Sequence, residues 1–221
     1  MTDTNEKKTL VYQSVFADII SRHYSHQSII TEKMLIDKYN LSKSPVREAL
    51  IQLCSDGILE SLPRIGYRII PLSMKDLSDA LTLRLLIETK ALEYSFPNIN
   101  ENKINTLKVL QQEKESIVDV KDVYVHWELN VRFHITLASF SNNKYFTQTL
   151  MSLMKTCFRG VYGYYEDLWE EGDNKGNMPY HEMLIEALEK RDLEESIKIL
   201  KTDISDLKSY ISLSLQSMGS I

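Results

Sequence analysis

Between residues 29 and 71 the hydrophobic pattern changes period, from the 3.6-residue repeat of a helix to the alternation of short strands. That change constrains the fold more than any other feature of the chain. Val46, Ala49, Leu50 and Leu53 recur at helical spacing and predict a helix from Lys43 to about Asp56, with its apolar face turned to a core. Ser42 stands at the N-cap, Pro45 falls in the first turn, where a missing N–H costs nothing, and Gly57 ends the helix. A shorter helix is expected from about Thr31 to Tyr39, capped by Thr31 and followed by Asn40, a residue that tolerates the left-handed turn. Leu10 to Ile20 forms a third amphipathic stretch. Past Gly57, Ile58–Ser61 and Tyr67–Ile70 read as strands around the turn-rich Leu62-Pro63-Arg64-Ile65-Gly66, and Pro71 closes the hairpin. A hairpin of two strands needs those helices to pack against.

From Met74 onward no strand signal recurs. Helices are expected at about 74–96, 101–118, 121–139, 143–169, 178–190 and 192–214, with breaks at Pro97-Asn98, Val120-Lys121, Ser141-Asn142-Asn143 and the loop 171–177. Six helices on short connections make an antiparallel bundle. The expectation is a mostly α chain: residues 1–72 form a winged helix-turn-helix domain and residues 73–221 an all-α antiparallel bundle.

A net charge of −5 does not announce a nucleic-acid binder, but the two segments differ. Residues 1–72 hold nine Lys and Arg against eight Asp and Glu, whereas residues 73–221 hold seventeen against twenty-three. Affinity for DNA follows the local positive face and not the total. The polar start, MTDTNEKKTL, has no apolar stretch of a signal peptide, and no apolar run approaches the roughly 18 residues of a membrane span. Cys54 and Cys157 read as reduced core residues, and a cytoplasmic location is expected.

A helix entering the major groove presents donors from its N-terminal turns, where its own N–H groups also face phosphates. Lys43, Ser44 and Arg47 occupy that part of the helix from Lys43 to Asp56, and Arg47 can bond a guanine edge with both arms. At the hairpin tip, Arg64 offers a cation and Gly66 lets the backbone approach DNA. The run Leu41-Ser42-Lys43-Ser44-Pro45-Val46-Arg47-Glu48-Ala49-Leu50, then Leu53, Asp56-Gly57-Ile58-Leu59 and Pro63-Arg64-Ile65-Gly66-Tyr67, resembles the GntR-family winged helix. Two departures stand out. Lys43 replaces an Arg, which keeps the charge without the fork geometry, and Ser25-His26 replaces the usual Pro-Gly ahead of the second helix.

In the bundle segment, Asn130 and His134 are one turn apart on one helix face, His181 opens the next-to-last helix, and Asp203 lies in the last. These are ligand types for a divalent metal, and they equally suit hydrogen-bonded core positions. The segment is similar to the FCD effector domain of the FadR subgroup. Asn130 to His134, Ser141 to Asn143, His181 to Ala187 with Arg191-Asp192, and Asp203 fall on that domain's motifs. The resemblance implies a metal set of Asn130, His134, His181 and Asp203, in which Asn130 replaces an Asp and Asp203 a His. It also implies that Arg84, four residues before Glu88, faces the cavity and meets the carboxylate of an effector. Without the resemblance, Arg84 and Glu88 make an ion pair. The aromatic stretch Phe158–Tyr165 reads as core and interface packing.

The reading is a homodimeric DNA-binding regulator, a repressor by default of the family. It would bind a pseudo-palindromic double-stranded operator, with a divalent cation, zinc or similar, and a small carboxylate effector. Two alternatives stand beside it. One is a metal-dependent hydrolase or isomerase built on His134, His181 and Asp203 with an autoregulatory DNA-binding domain, in which Glu182 points about 100° away from His181 around the helix. The other is a DNA-binding protein whose cavity has lost metal and ligand.

Overall fold

The structure, a computed structural model, describes residues 2–21, 23–25, 27–117, 123–171 and 179–218, with side chains over 5–21, 23–25, 27–117, 125–160 and 179–206. The chain divides into two units, Met1–Leu72 and Ser73–Ile221.

In the first unit, α1 runs Thr2–Ile20 and so begins well before the apolar stripe that starts at Leu10. Val11, Val15, Phe16 and Ile20 bury the inner face, which packs on α3 (Lys43–Ser55). Between them, α2 (Glu32–Tyr39) starts at Thr31, whose hydroxyl accepts the Met34 N–H at 3.2 Å. It ends at Asn40 in the left-handed conformation, φ 51° and ψ 45°. Ser42 has the extended backbone of an N-cap, but its side chain makes no cap bond. The cause is Pro45, which occupies the third helical position and removes the N–H that such a cap bonds. Val46, Ala49, Leu50 and Leu53 are fully buried. At the far end Ile58 N–H bonds Leu53 O at 2.9 Å and Gly57 N–H bonds Cys54 O at 3.0 Å. This paired closure needs a left-handed residue, and Gly57 supplies it at φ 68°.

The wing is a three-stranded sheet and not the two-stranded hairpin of the sequence reading. β2 (Leu59–Leu62) and β3 (Gly66–Ile69) pair antiparallel, with Leu59 opposite Ile69 and Leu62 opposite Gly66. β1 (Ile29–Ile30) adds to the free edge of β3 through Ile29 opposite Arg68 and Ile30 opposite Tyr67, giving the order β1-β3-β2. Two residues have no period to detect, so β1 leaves no alternation in the sequence. It does protect an edge that would otherwise be open.

In the second unit, the described helices are α4 (Met74–Ser95), α5 (Glu101–Glu115), α6 (Val123–Ser139), α7 (Lys144–Glu171), α8 (Pro179–Glu189) and α9 (Leu193–Met218). These bounds lie within a few residues of the predicted ones. A short 3-10 turn, Phe96–Asn98, joins α4 to α5. Ser73 and Asp76 close a capping box at the start of α4, each satisfying a backbone N–H of the other. α4 is the central helix and packs on α6, α7 and α9, while α5 packs on α6 and α8. α8 and α9 form a tight hairpin: Arg191 is left-handed at φ 59°, and Asp192 N–H bonds Ala187 O at 3.0 Å. The core includes Leu77, Leu92, Leu107, Phe133, Phe158, Leu184 and Leu200. Phe158 stacks on Trp127 with ring centroids 5.2 Å apart, as packing within the core. The side chains of Tyr162, Tyr164 and Tyr165, the loop residues 172–177 and His26 lie outside the described residues. Cys157 is buried as expected, whereas Cys54 is only half-buried because it sits at the edge of the apolar face of α3. Among the described residues no helix is long and apolar enough to cross a membrane.

Candidate functional site

The outer face of α3 carries the first set of candidates. Lys43 and Arg47 keep 67% and 61% of their side-chain surface, so their cations face solvent. Both approach Glu32 of α2, Lys43 Nζ at 3.6 Å and Arg47 Nε at 3.7 Å. These distances bring the charges together without making short hydrogen bonds, and a phosphate or base edge can displace them. Ser44 donates to Glu48 Oε1 at 2.8 Å along the same helix. Arg64 stands exposed at the turn with φ 66°, a strained position for a residue with a side chain. Gly66 is required from within: a Cβ there would lie 2.6 Å from Ile30 O. The glycine therefore lets β1 dock on β3 and sets the base of the wing.

The second set lies inside the bundle. Four helices, α4, α6, α8 and α9, bring Arg84, Glu88, His134, His181 and Asp203 into one buried cluster. Arg84 Nε donates to Glu88 Oε1 at 2.5 Å, and the other carboxylate oxygen of Glu88 meets His134 Nδ1 at 2.6 Å. With Nδ1 so engaged, the opposite nitrogen of His134 turns to the centre of the cluster. His134 Nε2 lies 3.2 Å from Asp203 Oδ2 and 3.3 Å from His181 Nε2. Asp203 Oδ2 is also 3.8 Å from His181 Nε2, and its contacts are ionic approaches and not aligned hydrogen bonds. Phe133 stacks flat on His181, centroids 3.8 Å apart, and fixes that ring. Asn130, one turn before His134, is buried, and among the described residues its Oδ1 has no hydrogen-bond partner.

Burial raises the cost of charge throughout the cluster, and the neighbours decide which groups carry it. Burial pushes Glu88 up, but the charges of Arg84 and His134 outweigh it and hold the carboxyl below its ordinary range. Burial alone would keep His134 neutral, yet Glu88 beside it raises its pKa. At His181 burial wins, and the Asp203 carboxylate 3.8 Å away only partly opposes it. Burial holds it well below the ordinary histidine value, so it is neutral and its lone pair is available. Asp203 is pushed up by burial and pulled further down by the two histidines, and it stays a carboxylate.

The cluster fits a divalent cation. Ligand atoms of His134, His181 and Asp203 all lie within 4.8 Å of one another. Donors about 2.0–2.1 Å from a tetrahedral zinc would stand about 3.4 Å apart, close to the spacings found. Glu88 on the far nitrogen of His134 is the outer partner that such a histidine ligand commonly has. The orphaned oxygen of Asn130 adds a neutral donor on the same helix face.

Sequence reasoning missed one contact of Glu88 and two buried groups of α5. Glu88 is legible as a partner of Arg84, but its second contact is tertiary. Gln111 and Lys114 of α5 are buried, and among the described residues Gln111 Oε1 and Lys114 Nζ have no hydrogen-bond partner. Their signal was available: both lie on the helical stripe that begins with Ile104 and Leu107.

Comparison with known proteins agrees with this architecture. Residues 7–69 match the bacterial regulatory proteins of the gntR family, and residues 79–206 match the FCD domain. The chain is 28% identical over 202 residues to the gluconate operon transcriptional repressor of Bacillus licheniformis, covering 87% of this chain and 80% of that protein. It is 23% identical over 182 residues to the HTH-type transcriptional repressor RspR of Escherichia coli K12, covering 82% and 78%. Identity reaches 30% over 122 residues with the uncharacterized HTH-type regulator YdhC of Bacillus subtilis, a match that spans 55% of this chain and only 54% of that protein. The solved structure of E. coli McbR/YncC superposes with a TM-score of 0.73 at 18% identity, over 96% of this chain and 98% of that one. At that identity the likeness establishes the fold. The family matches and the regulatory relatives leave no place for the enzyme alternative. With its reading head and its helical bundle each matched in turn, the chain belongs to the GntR family of DNA-binding transcriptional regulators and carries an FCD domain.

Proposed function

We propose that the protein is a homodimeric repressor that leaves its operator when a small carboxylate binds in the FCD bundle. The observation that carries the reading is the buried His134–His181–Asp203 cluster, oriented by Glu88 and Arg84, within a chain that also bears a DNA-reading head. Asn130, His134, His181 and Asp203 would hold a divalent cation, zinc or a similar ion. Its positive charge would supply an anchor for a carboxylate in a water-poor interior. Arg84 faces the same cluster; Glu88 takes its Nε, and the guanidinium has further donors for an acid group.

Two relatives named as repressors support that direction of control. The outward face of α4 supports self-association: Leu83, Leu86 and Tyr94 are 43%, 58% and 71% exposed along one side. A two-fold dimer would place two heads on a pseudo-palindromic operator in the cytoplasm. Lys43, Ser44 and Arg47 would read base edges and nearby phosphates, while Arg64 and the wing around Gly66 would contact the backbone. Release requires that the ligand bind the DNA-competent and released arrangements with different affinity.

The test is an anisotropy titration with DNA from upstream of the protein's own gene. Specific, saturable binding that Arg47→Ala weakens by about 1–3 kcal/mol at one base position is expected. Equal, purely salt-driven affinity for every sequence would overturn the reading. Elemental analysis of protein purified without chelator or affinity metal tests the cation site, with one equivalent expected in the wild type and none in His134→Ala.

A further inference from the structure

Lys114 and Gln111 sit one turn apart on α5, 5% and 8% exposed. Gln111 donates an amide N–H to Glu115 at 2.9 Å, and among the described residues its Oε1 meets no donor and Lys114 Nζ no hydrogen-bond acceptor. An ammonium is a strongly hydrated point charge with three donors, and withdrawing it from water without a counter-ion carries a heavy cost. Lys114 interacts electrostatically with Asp203 and with His181, so its charge is felt by the cluster that α8 and α9 contribute. Arg84, the other cation here, is already matched by Glu88 at 2.5 Å. Among the described residues, the acid group this interior lacks is the one that would face Lys114.

We infer that Lys114 and Gln111 are the specificity residues of the sensor: Lys114 binds an acid group of the effector, and Gln111 accepts a hydrogen bond from a hydroxyl of the same molecule. The effector is then a hydroxylated carboxylic acid and not a plain alkanoate. A cation and a lone acceptor on adjacent turns, about 5–6 Å apart at Cβ, suit a molecule that carries both groups within a few bonds. The inference rests on the reading that the bundle takes a carboxylate, and it adds which part of the bundle reads the rest of the ligand.

Calorimetric titration of the full-length, metal-replete protein tests it with three probes. These are the six-carbon aldonates (D-gluconate, D-galactonate and D-mannonate), hexanoate, which keeps the acid and lacks the hydroxyls, and sorbitol, which does the reverse. At least one aldonate should bind, hexanoate about 10-fold more weakly, and sorbitol not measurably. Lys114→Met should weaken the aldonate about 100-fold while the protein stays folded by thermal melting. Gln111→Leu should bring aldonate affinity down to that of hexanoate. Aldonate binding unchanged in Lys114→Met overturns the role of Lys114. Hexanoate binding as tightly as every aldonate overturns the hydroxyl contact and leaves the carboxylate reading of the bundle standing. Failure of both acid classes on the wild type overturns that reading together with this one.

Discussion

The two units handle charge in opposite ways. In the reading head, Lys43 and Arg47 hover 3.6 and 3.7 Å from Glu32 with most of their surface in water. In the bundle, Arg84, Glu88 and His134 make contacts of 2.5 and 2.6 Å with almost no exposure. A loose exposed pair contributes little to stability and is easily exchanged for DNA. A tight buried one contributes little net stability when complete, but it is costly to break. The head is therefore built to trade partners and the bundle to hold a fixed arrangement.

The largest expected effect tests the fixed arrangement. Glu88→Ala strips the counter-ion from Arg84 and the orienting acceptor from His134 together, and chemical denaturation should show a loss of about 3–5 kcal/mol. A loss below about 1 kcal/mol would put the cluster on the footing of the surface pairs and dissolve the contrast.

Lys114 sharpens it next, because its sign is reversed. Burial pushes its amine from 10.5 down to about 8, with Asp203 and Glu115 only partly opposing. Between those values the unfolded chain binds more protons than the folded one, so wild-type stability rises with pH across that window. Below about 8 the full penalty is present. Lys114→Met should accordingly stabilise the ligand-free protein by up to about 3 kcal/mol at neutral pH, with the gain fading toward pH 10.5 in melting curves. A destabilised variant at neutral pH would overturn the unpaired state of the amine. A residue whose removal strengthens the empty protein and weakens its response to an acid is there for the acid.

A smaller effect separates two caps in the head. Thr31→Ala should cost about 1 kcal/mol, since its hydroxyl holds Met34 N–H. Ser42→Ala should cost a few tenths at most, because no side-chain cap bond exists to lose. Equal losses would show that backbone conformation, and not the bond, decides cap strength here. Smallest of all, Glu32→Gln should tighten non-specific DNA association only about two- to threefold at low salt, and the gain should vanish as ionic strength rises.

Most of the fold is legible in the sequence because it is written in periodic stripes and local punctuation. Val46, Ala49, Leu50 and Leu53 mark the inner face of α3, and Gly57 marks its end, without reference to anything distant. β1 is not legible: two isoleucines carry no alternation, and only the docking of Ile29 and Ile30 on β3 makes them a strand. The cluster divides similarly. Asn130 and His134 share a helix face by spacing, but that α8 and α9 bring His181 and Asp203 to that face is a matter of bundle packing. The grouping of the four came from resemblance and not from spacing. Lys114 shows the opposite failure. Its stripe position is plain in the sequence, but a lysine is ordinarily taken to snorkel into water, and only its burial shows that it does not.

Glu88 gives one oxygen to Arg84 and the other to His134. Such a shared acceptor binds the fates of three positions. In a library of random variants screened for ligand response, Arg84, Glu88 and His134 should be kept or lost as a block, because any one change strands a charge or a ring that the others cannot satisfy. Asn130 and Asp203, each with an oxygen that no hydrogen bond claims among the described residues, stand outside that block and should vary more freely. Those two are also the positions where the resemblance to the FCD domain implies an Asp and a His instead. On the proposed reading, the bundle would change what it senses at Asn130 and Asp203 while the interior that aims His134 stays as it is.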